Sequence, residues 1–177
     1  MKKVPFSVMP QRIKMQGMYC VDIFWRGLDN SLRMYKKNYN LQLNPDFQRG
    51  HVWNEEQHIK YIEFCISGGI TGKEIYLNYP GWMRDWNETS TMLCVDGLQR
   101  LTAAQKFMHN EFKVFNKYYV ENIIRLDNFS CGFKFHINDL VDKKDILQWY
   151  LEMNTGGTPH TEKEIQRVKK LLEQENS

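Results

Sequence analysis

The stretch from Thr91 to His109 constrains the fold most, because its pattern switches from strand to helix across two residues. Thr91-Met-Leu-Cys-Val95 is a short apolar run that suits a buried strand, Asp96-Gly97 follows, and a helix is expected from about Leu98 to His109, with Asn110 as its stop. Gly97 allows a positive φ or the close approach of a ligand. The first N–H groups of a helix have no partner within it and carry the positive end of its dipole. Such a turn is a ready site for phosphate, and Arg100 in the first helical turn can add a bidentate contact. The same residues also fit a strand–turn–helix in which Asp96 is only the N-cap. At this level both readings stand.

The rest of the chain alternates in the same way. Met18 to Trp25 reads as a strand, and Leu28, Leu32 and Tyr35 as a short helix from Leu28 to Lys37 that Asp29 or Asn30 could cap. Leu41 and Leu43 suggest a brief strand before Asn44-Pro-Asp-Phe-Gln-Arg49. Asn54 with Gln57 forms a capping-box pattern for a helix whose apolar face is Ile59, Ile62, Cys65 and Ile66, ended by Gly68-Gly69. Strands are expected at Ile75, Leu77 and Tyr79 and at Phe133, Phe135 and Ile137. Between the first of these and Thr91, Pro80 to Ser90 reads as a polar loop. A helix carries Ile146, Leu147, Tyr150 and Leu151, and a last one runs from Thr161 with Ile165, Val168, Leu171 and Leu172 inside. The expected fold class is mixed α and β: one domain over residues 18–177, with a small mixed sheet flanked by helices, preceded by a basic arm over residues 1–17.

Composition narrows the function classes. No apolar run approaches the ~20 residues of a membrane span, and Met1-Lys2-Lys3 is not followed by a signal-peptide core, so no membrane partner and a cytoplasmic location are expected. The net charge of +3, from 24 basic and 21 acidic residues, is too mild to mark a nucleic-acid binder by itself. The arm is the exception: Lys2, Lys3, Arg12 and Lys14 occur there without one acid, which makes it a solvated tail or a DNA contact. Cys20, Cys65, Cys94 and Cys131 are widely spaced, read as reduced thiols, and with the five histidines give no pair at zinc-ligand spacing.

Two more segments gather chemistry. Asn44 to Trp53 places Gln48, Arg49 and His51 between Phe47 and Trp53; it is either a solvated connection with aromatic anchors or a loop that brings Arg49 opposite Arg100 on an anion. Asn154-Thr-Gly-Gly157 is either a helix C-cap or a glycine turn exposing backbone N–H groups at a pocket wall.

Taken together and in order, Phe47-Gln48-Arg49 with Trp53, Val95-Asp-Gly-Leu-Gln-Arg-Leu-Thr102 and Asn154-Thr-Gly-Gly157 resemble the N-terminal domain of GmrSD-type modification-dependent restriction enzymes, in the ParB/sulfiredoxin-like superfamily. The resemblance covers roughly residues 18 to 172. It implies a nucleotide-binding domain that hydrolyses a nucleoside triphosphate (NTP) or transfers its phosphoryl group with Mg²⁺. Arg49, Arg100, Gln48 and Asp96 would be catalytic, and Asp96 would hold the metal or cap the helix. Gly97, Leu98, Gln99, Arg100, Thr102, Asn154, Gly156 and Gly157 would bind the nucleotide. Asp46 and Glu55 are candidate bases, and Gln48 and Gln99 could orient a water or a phosphate oxygen. The sulfiredoxin branch needs a cysteine within the turn, whereas Cys94 precedes it on the strand, so sulfinic-acid repair is not expected. The chain ends at Ser177 with no room for the nuclease domain that restriction proteins of this family append, so a complete restriction endonuclease is not expected. Two further readings remain: a non-catalytic adaptor or inhibitor with a protein partner, phage or mobile-element encoded, and a DNA-binding protein that uses the arm.

Overall fold

A computed structural model describes residues 19–48, 50, 52–82, 90–121, 131–154 and 162–174. The strands are β1 (Tyr19–Phe24), β2 (Glu74–Asn78), β3 (Leu93–Asp96) and β4 (Gly132–Asn138). The helices are α1 (Trp25–Tyr39), α2 (Glu55–Ile66), α3 (Leu98–Met108), α4 (Lys143–Asn154) and α5 (Glu162–Gln174). The four strands form one mixed sheet in the order β1-β4-β2-β3. Its outer pairs, β1 with β4 and β2 with β3, are antiparallel, and its central pair, β2 with β4, is parallel. The fold is mixed α/β, as the alternating patterns predict.

Strand alternation divides the core in two. Ile75 and Leu77 of β2 join Ile23, Phe133, Phe135, Ile137 and Cys94 in a cluster with Leu28 and Leu32 of α1, Ile62 and Cys65 of α2 and Phe107 of α3. Tyr76, between Ile75 and Leu77, belongs with Val95 to a second cluster, built with Ile146, Leu147 and Trp149 of α4 and Val168 of α5. Asn78, fully buried, joins β2 to the β4–α4 connection: its Nδ2 donates to the Leu140 carbonyl and its Oδ1 accepts from Leu140 N–H, both at 2.9 Å. A buried amide is tolerated here because its side chain is paired in both directions.

Several expectations shift by a few residues, each for a tertiary reason. α1 begins at Trp25, three residues before the expected start and directly after β1. Trp25 is 2% exposed, its ring meets Phe107 and Phe133, and its N–H donates to the Cys131 carbonyl. Neither Asp29 nor Asn30 caps the helix, because the N-cap position is Phe24; the Asp29 carboxylate instead accepts from Gln105 of α3. The brief strand around Leu41 and Leu43 is a single bridge from Gln42 to Leu93. The capping box of α2 is present, with Gln57 N–H on Asn54 Oδ1 and Asn54 N–H on Gln57 Oε1, each 2.9 Å. The arm over residues 1–17 lies outside the described residues. Among the described residues no helix is long and apolar enough to cross a membrane.

Candidate phosphate-binding turn

β3 delivers Asp96 to the sheet edge, and the chain reverses into α3 at Gly97, whose φ is 113°. A Cβ built there would lie 2.5 Å from Cδ1 of Ile75 and 3.3 Å from its Cα. Glycine is therefore required twice, by the dihedral and by the close packing of turn on strand. Gly97 is the N-cap residue, and no side chain caps α3. Asp96, read in the sequence as a possible cap, instead accepts the Gly97 N–H on Oδ1 at 2.8 Å and Arg100 Nη2 on Oδ2 at 2.5 Å.

Arg100 is thereby fixed beside the turn. Its side chain is 22% exposed, and its Nε is buried without a hydrogen-bond partner among the described residues. Burial disfavours the guanidinium charge, but the Asp96 carboxylate outweighs it and holds the pKa above its ordinary value. Cys94, one strand position pair earlier, is fully buried, and burial together with Asp96 pushes its thiol far up, which makes it inert packing.

The two glutamines of the motifs both hold backbone. Gln48 Nε2 donates to the carbonyls of Cys94 and Val95, at 3.0 and 2.9 Å, so its side chain completes the edge of β3. Gln99 Oε1 accepts from Val52 and Trp53 N–H at 3.2 Å each, and its Nε2 donates to the Gly50 carbonyl. Gln48, Gly50, Val52 and Trp53 are thus tied to the β3–α3 turn from both sides. Phe47, 1% exposed, anchors the same segment against Tyr150 of α4. Thr102 Oγ1 donates back to the Leu98 carbonyl at 2.8 Å, and Leu98 itself is buried.

Of the remaining expected residues, Asn154 is the last residue of α4, and Arg49, Gly156 and Gly157 lie outside the described residues. Asp46 is ion-paired with Lys143 of α4 at 3.3 Å, and Glu55 sits in the first turn of α2. One residue escaped the sequence reading: Arg167 of α5, whose Nη2 donates to the Gln48 carbonyl at 2.5 Å. Only the apolar positions of that helix carry a pattern, so nothing local marks Arg167. Among the described residues no group of three or more His, Cys, Asp or Glu side chains could hold a metal ion. Asp96, with both oxygens engaged and a guanidinium at 2.5 Å, does not fit as the principal ligand of a cation.

Residues 30–134, more than half of the chain and inclusive of the segments around Gln48 and Gln99, match the GmrSD restriction endonuclease N-terminal domain. The chain belongs to this family. That membership ties it to restriction systems, while Asn154-Thr-Gly-Gly157 lies outside the matched residues. No curated protein and no solved structure matches the chain.

Proposed function

We propose that this protein binds an NTP at the β3–α3 turn, hydrolysing it or transferring its phosphoryl group within a restriction system. The observation that carries the reading is the turn itself: a glycine at φ 113° leading into an eleven-residue helix with no side-chain cap and with Arg100 in its first turn. Phosphate oxygens would meet the N–H groups at the start of α3, where the dipole favours negative charge. Arg100, and Arg49 next to the clamped Gln48, would neutralise charge that develops on the transferred group. Mg²⁺ would enter with the nucleotide, held mainly by phosphate oxygens and water. Kinship with the wider ParB/sulfiredoxin-like superfamily is part of the same proposal.

A second reading, a non-catalytic adaptor that keeps the turn as a switch, is favoured by the Asp96–Arg100 pair, which already engages Nη2 of the motif arginine. DNA contact through Lys2, Lys3, Arg12 and Lys14 is an independent proposal, checked by the salt dependence of duplex binding with and without residues 1–14. The deciding experiment is a thermal-shift panel of ATP, GTP, CTP and UTP with Mg²⁺, followed by phosphate release. Ligand at about 100 times its Kd adds roughly 2.7 kcal/mol, a melting shift on the order of 5–10 °C for a domain of this size. No shift with any of the four sinks the nucleotide reading; a shift without turnover selects the adaptor.

A further inference from the structure

The sheet carries a second line of chemistry at the edge opposite β3. Register places Cys20 of β1 across from His136 of β4, and His136 across from Tyr76 of β2. Cys20 Sγ lies 3.2 Å from His136 Nδ1. The Tyr76 ring stacks on the imidazole with centroids 4.7 Å apart and planes at 15°, and Trp149 of α4 braces Tyr76 edge-on at 6.0 Å. The other imidazole nitrogen, Nε2, is buried without a hydrogen-bond partner among the described residues. The ring is thus held by stacking, with Nδ1 turned to the thiol.

The charged neighbours of this pair are Asp22 on β1, Glu74 on β2 and Lys134 on β4. Burial lowers the His136 pKa; Glu74 and Asp22 act against that and Lys134 with it, and the balance stays below the ordinary value. His136 is therefore neutral at pH 7 and has a lone pair to offer. The other three cysteines are buried, and burial raises the pKa of each, that of Cys131 to about 11. Cys20 alone of the four is exposed.

We propose that Cys20 and His136 form a base-assisted nucleophilic thiol site that exchanges with low-molecular-weight disulfides. Nδ1 of His136 takes the thiol proton, and the Cys20 sulfur attacks one sulfur of the disulfide. The S–S bond breaks, and the leaving thiolate takes the proton from the imidazolium. One mixed disulfide on Cys20 and one small thiol result, with the electron pair of the new S–S bond balanced by the reduced leaving group. Two positions along on the same face of the strands, Asp22 and Lys134 enter a groove of about 410 Å³, also lined by Phe24, Ile70, Lys73 and Glu74. Charges of both signs beside apolar surface suit a zwitterionic disulfide, and oxidised glutathione is the probe.

The folded protein is incubated with excess oxidised glutathione from pH 6 to 9, and adducts are counted and mapped by mass spectrometry. One adduct is expected, on Cys20, and none in Cys20→Ser. His136→Asn should slow the reaction about tenfold at pH 7, with the gap to wild type narrowing as pH rises and hydroxide takes over deprotonation of the thiol. A native adduct on another cysteine, or a His136→Asn rate equal to wild type at pH 7, overturns the proposal. A measurement without variants guards against misfolding: at pH 7 native Cys20 should react faster than the same cysteine in denaturant. Equal or slower native reaction also overturns it.

Discussion

Two strand-to-helix turns stand at opposite edges of the sheet, and neither helix has a side-chain cap. At the first, β1 runs into α1 through Phe24 in an extended conformation, φ −69° and ψ 147°, and the Trp25 N–H closes on the Cys131 carbonyl. At the second, β3 runs into α3 through Gly97 at φ 113°, with Asp96 and Arg100 folded together beside it. The first turn spends its side chain on the core; Trp25 is 2% exposed and fills space between sheet and α3. The second spends nothing there, since Gly97 has no side chain and the charges remain at the edge. Topology alone therefore does not set the second turn apart. What distinguishes the second turn is a glycine that lets backbone approach, and two glutamines that fix a neighbouring loop against it.

Breaking the comparison at its glycine should have the largest effect. Gly97→Ala adds a left-handed backbone cost of ~1–2 kcal/mol and a methyl group 2.5 Å from Ile75 Cδ1, an overpacking cost of about 1–3 kcal/mol. A loss of about 3 kcal/mol, or on the order of 10 °C in melting temperature, is expected from denaturation curves. Phe24→Ala at the other turn, where φ is unstrained and the ring is 39% exposed, should change stability by less than about 1 kcal/mol. Equal losses at the two turns would remove the distinction.

Arg100→Ala comes next and is read on the ligand. On the proposed function, losing a charge-assisted hydrogen bond of about 1.5–3 kcal/mol should weaken NTP binding roughly 10- to 150-fold. Calorimetry on folded protein that returned wild-type affinity would put the ligand elsewhere.

The glutamines sharpen the comparison further, because their chemistry is opposite. Gln48 gives its N–H₂ to two carbonyls, whereas Gln99 receives two N–H groups on its oxygen. Gln48→Glu sets a carboxylate against the Cys94 and Val95 carbonyls and should cost about 1–3 kcal/mol. Gln99→Glu keeps both accepted bonds and sets one carboxylate oxygen against a single carbonyl, that of Gly50, so its cost should be the smaller at pH 7. Chemical denaturation of the two variants side by side decides; the reverse order would mean that the loop is not held in this way.

How much of this was legible beforehand depended on range. The Asn54–Gln57 box and the Asp96-Gly97 break are written in neighbouring residues, and the alternation of Ile75, Leu77, Phe133, Phe135 and Ile137 follows from the strand period. Trp25 looked like the end of a strand because the rings that bury it, Phe107 and Phe133, lie some eighty or more positions away. The Gln48 and Gln99 clamps span 46 to 49 positions, so the motif showed which residues matter but not that both hold backbone. Arg167 reaches Gln48 across 119 positions and left no local trace.

The smallest expected effect concerns the clip that ties the two turns' helices to each other. Asp29 of α1 accepts from Gln105 Nε2 at 2.9 Å and faces His109 Nε2, just beyond α3, at 2.7 Å. Burial raises the Asp29 pKa, but the hydrogen bonds from Gln105 and His109 and the charges of His109 and Arg33 outweigh it, leaving the carboxyl below its ordinary 3.8. A carboxyl whose pKa is depressed on folding contributes stability that is fully present above the unfolded value and is lost as pH falls through the folded one. The clip should therefore hold from neutral pH down to about 4 and let go below it. Both partners are substantially exposed, which keeps its worth under about 1 kcal/mol. Asp29→Asn should lower stability slightly at pH 7, and the gap to wild type should shrink as pH falls below the ordinary 3.8 and through the lower folded value, where the wild-type carboxyl takes up its proton. Urea titrations at pH 7 and stepwise down the acid range measure it. A gap that stays constant would mean that Asp29 acts through packing, leaving α1 and α3 coupled only by their apolar faces.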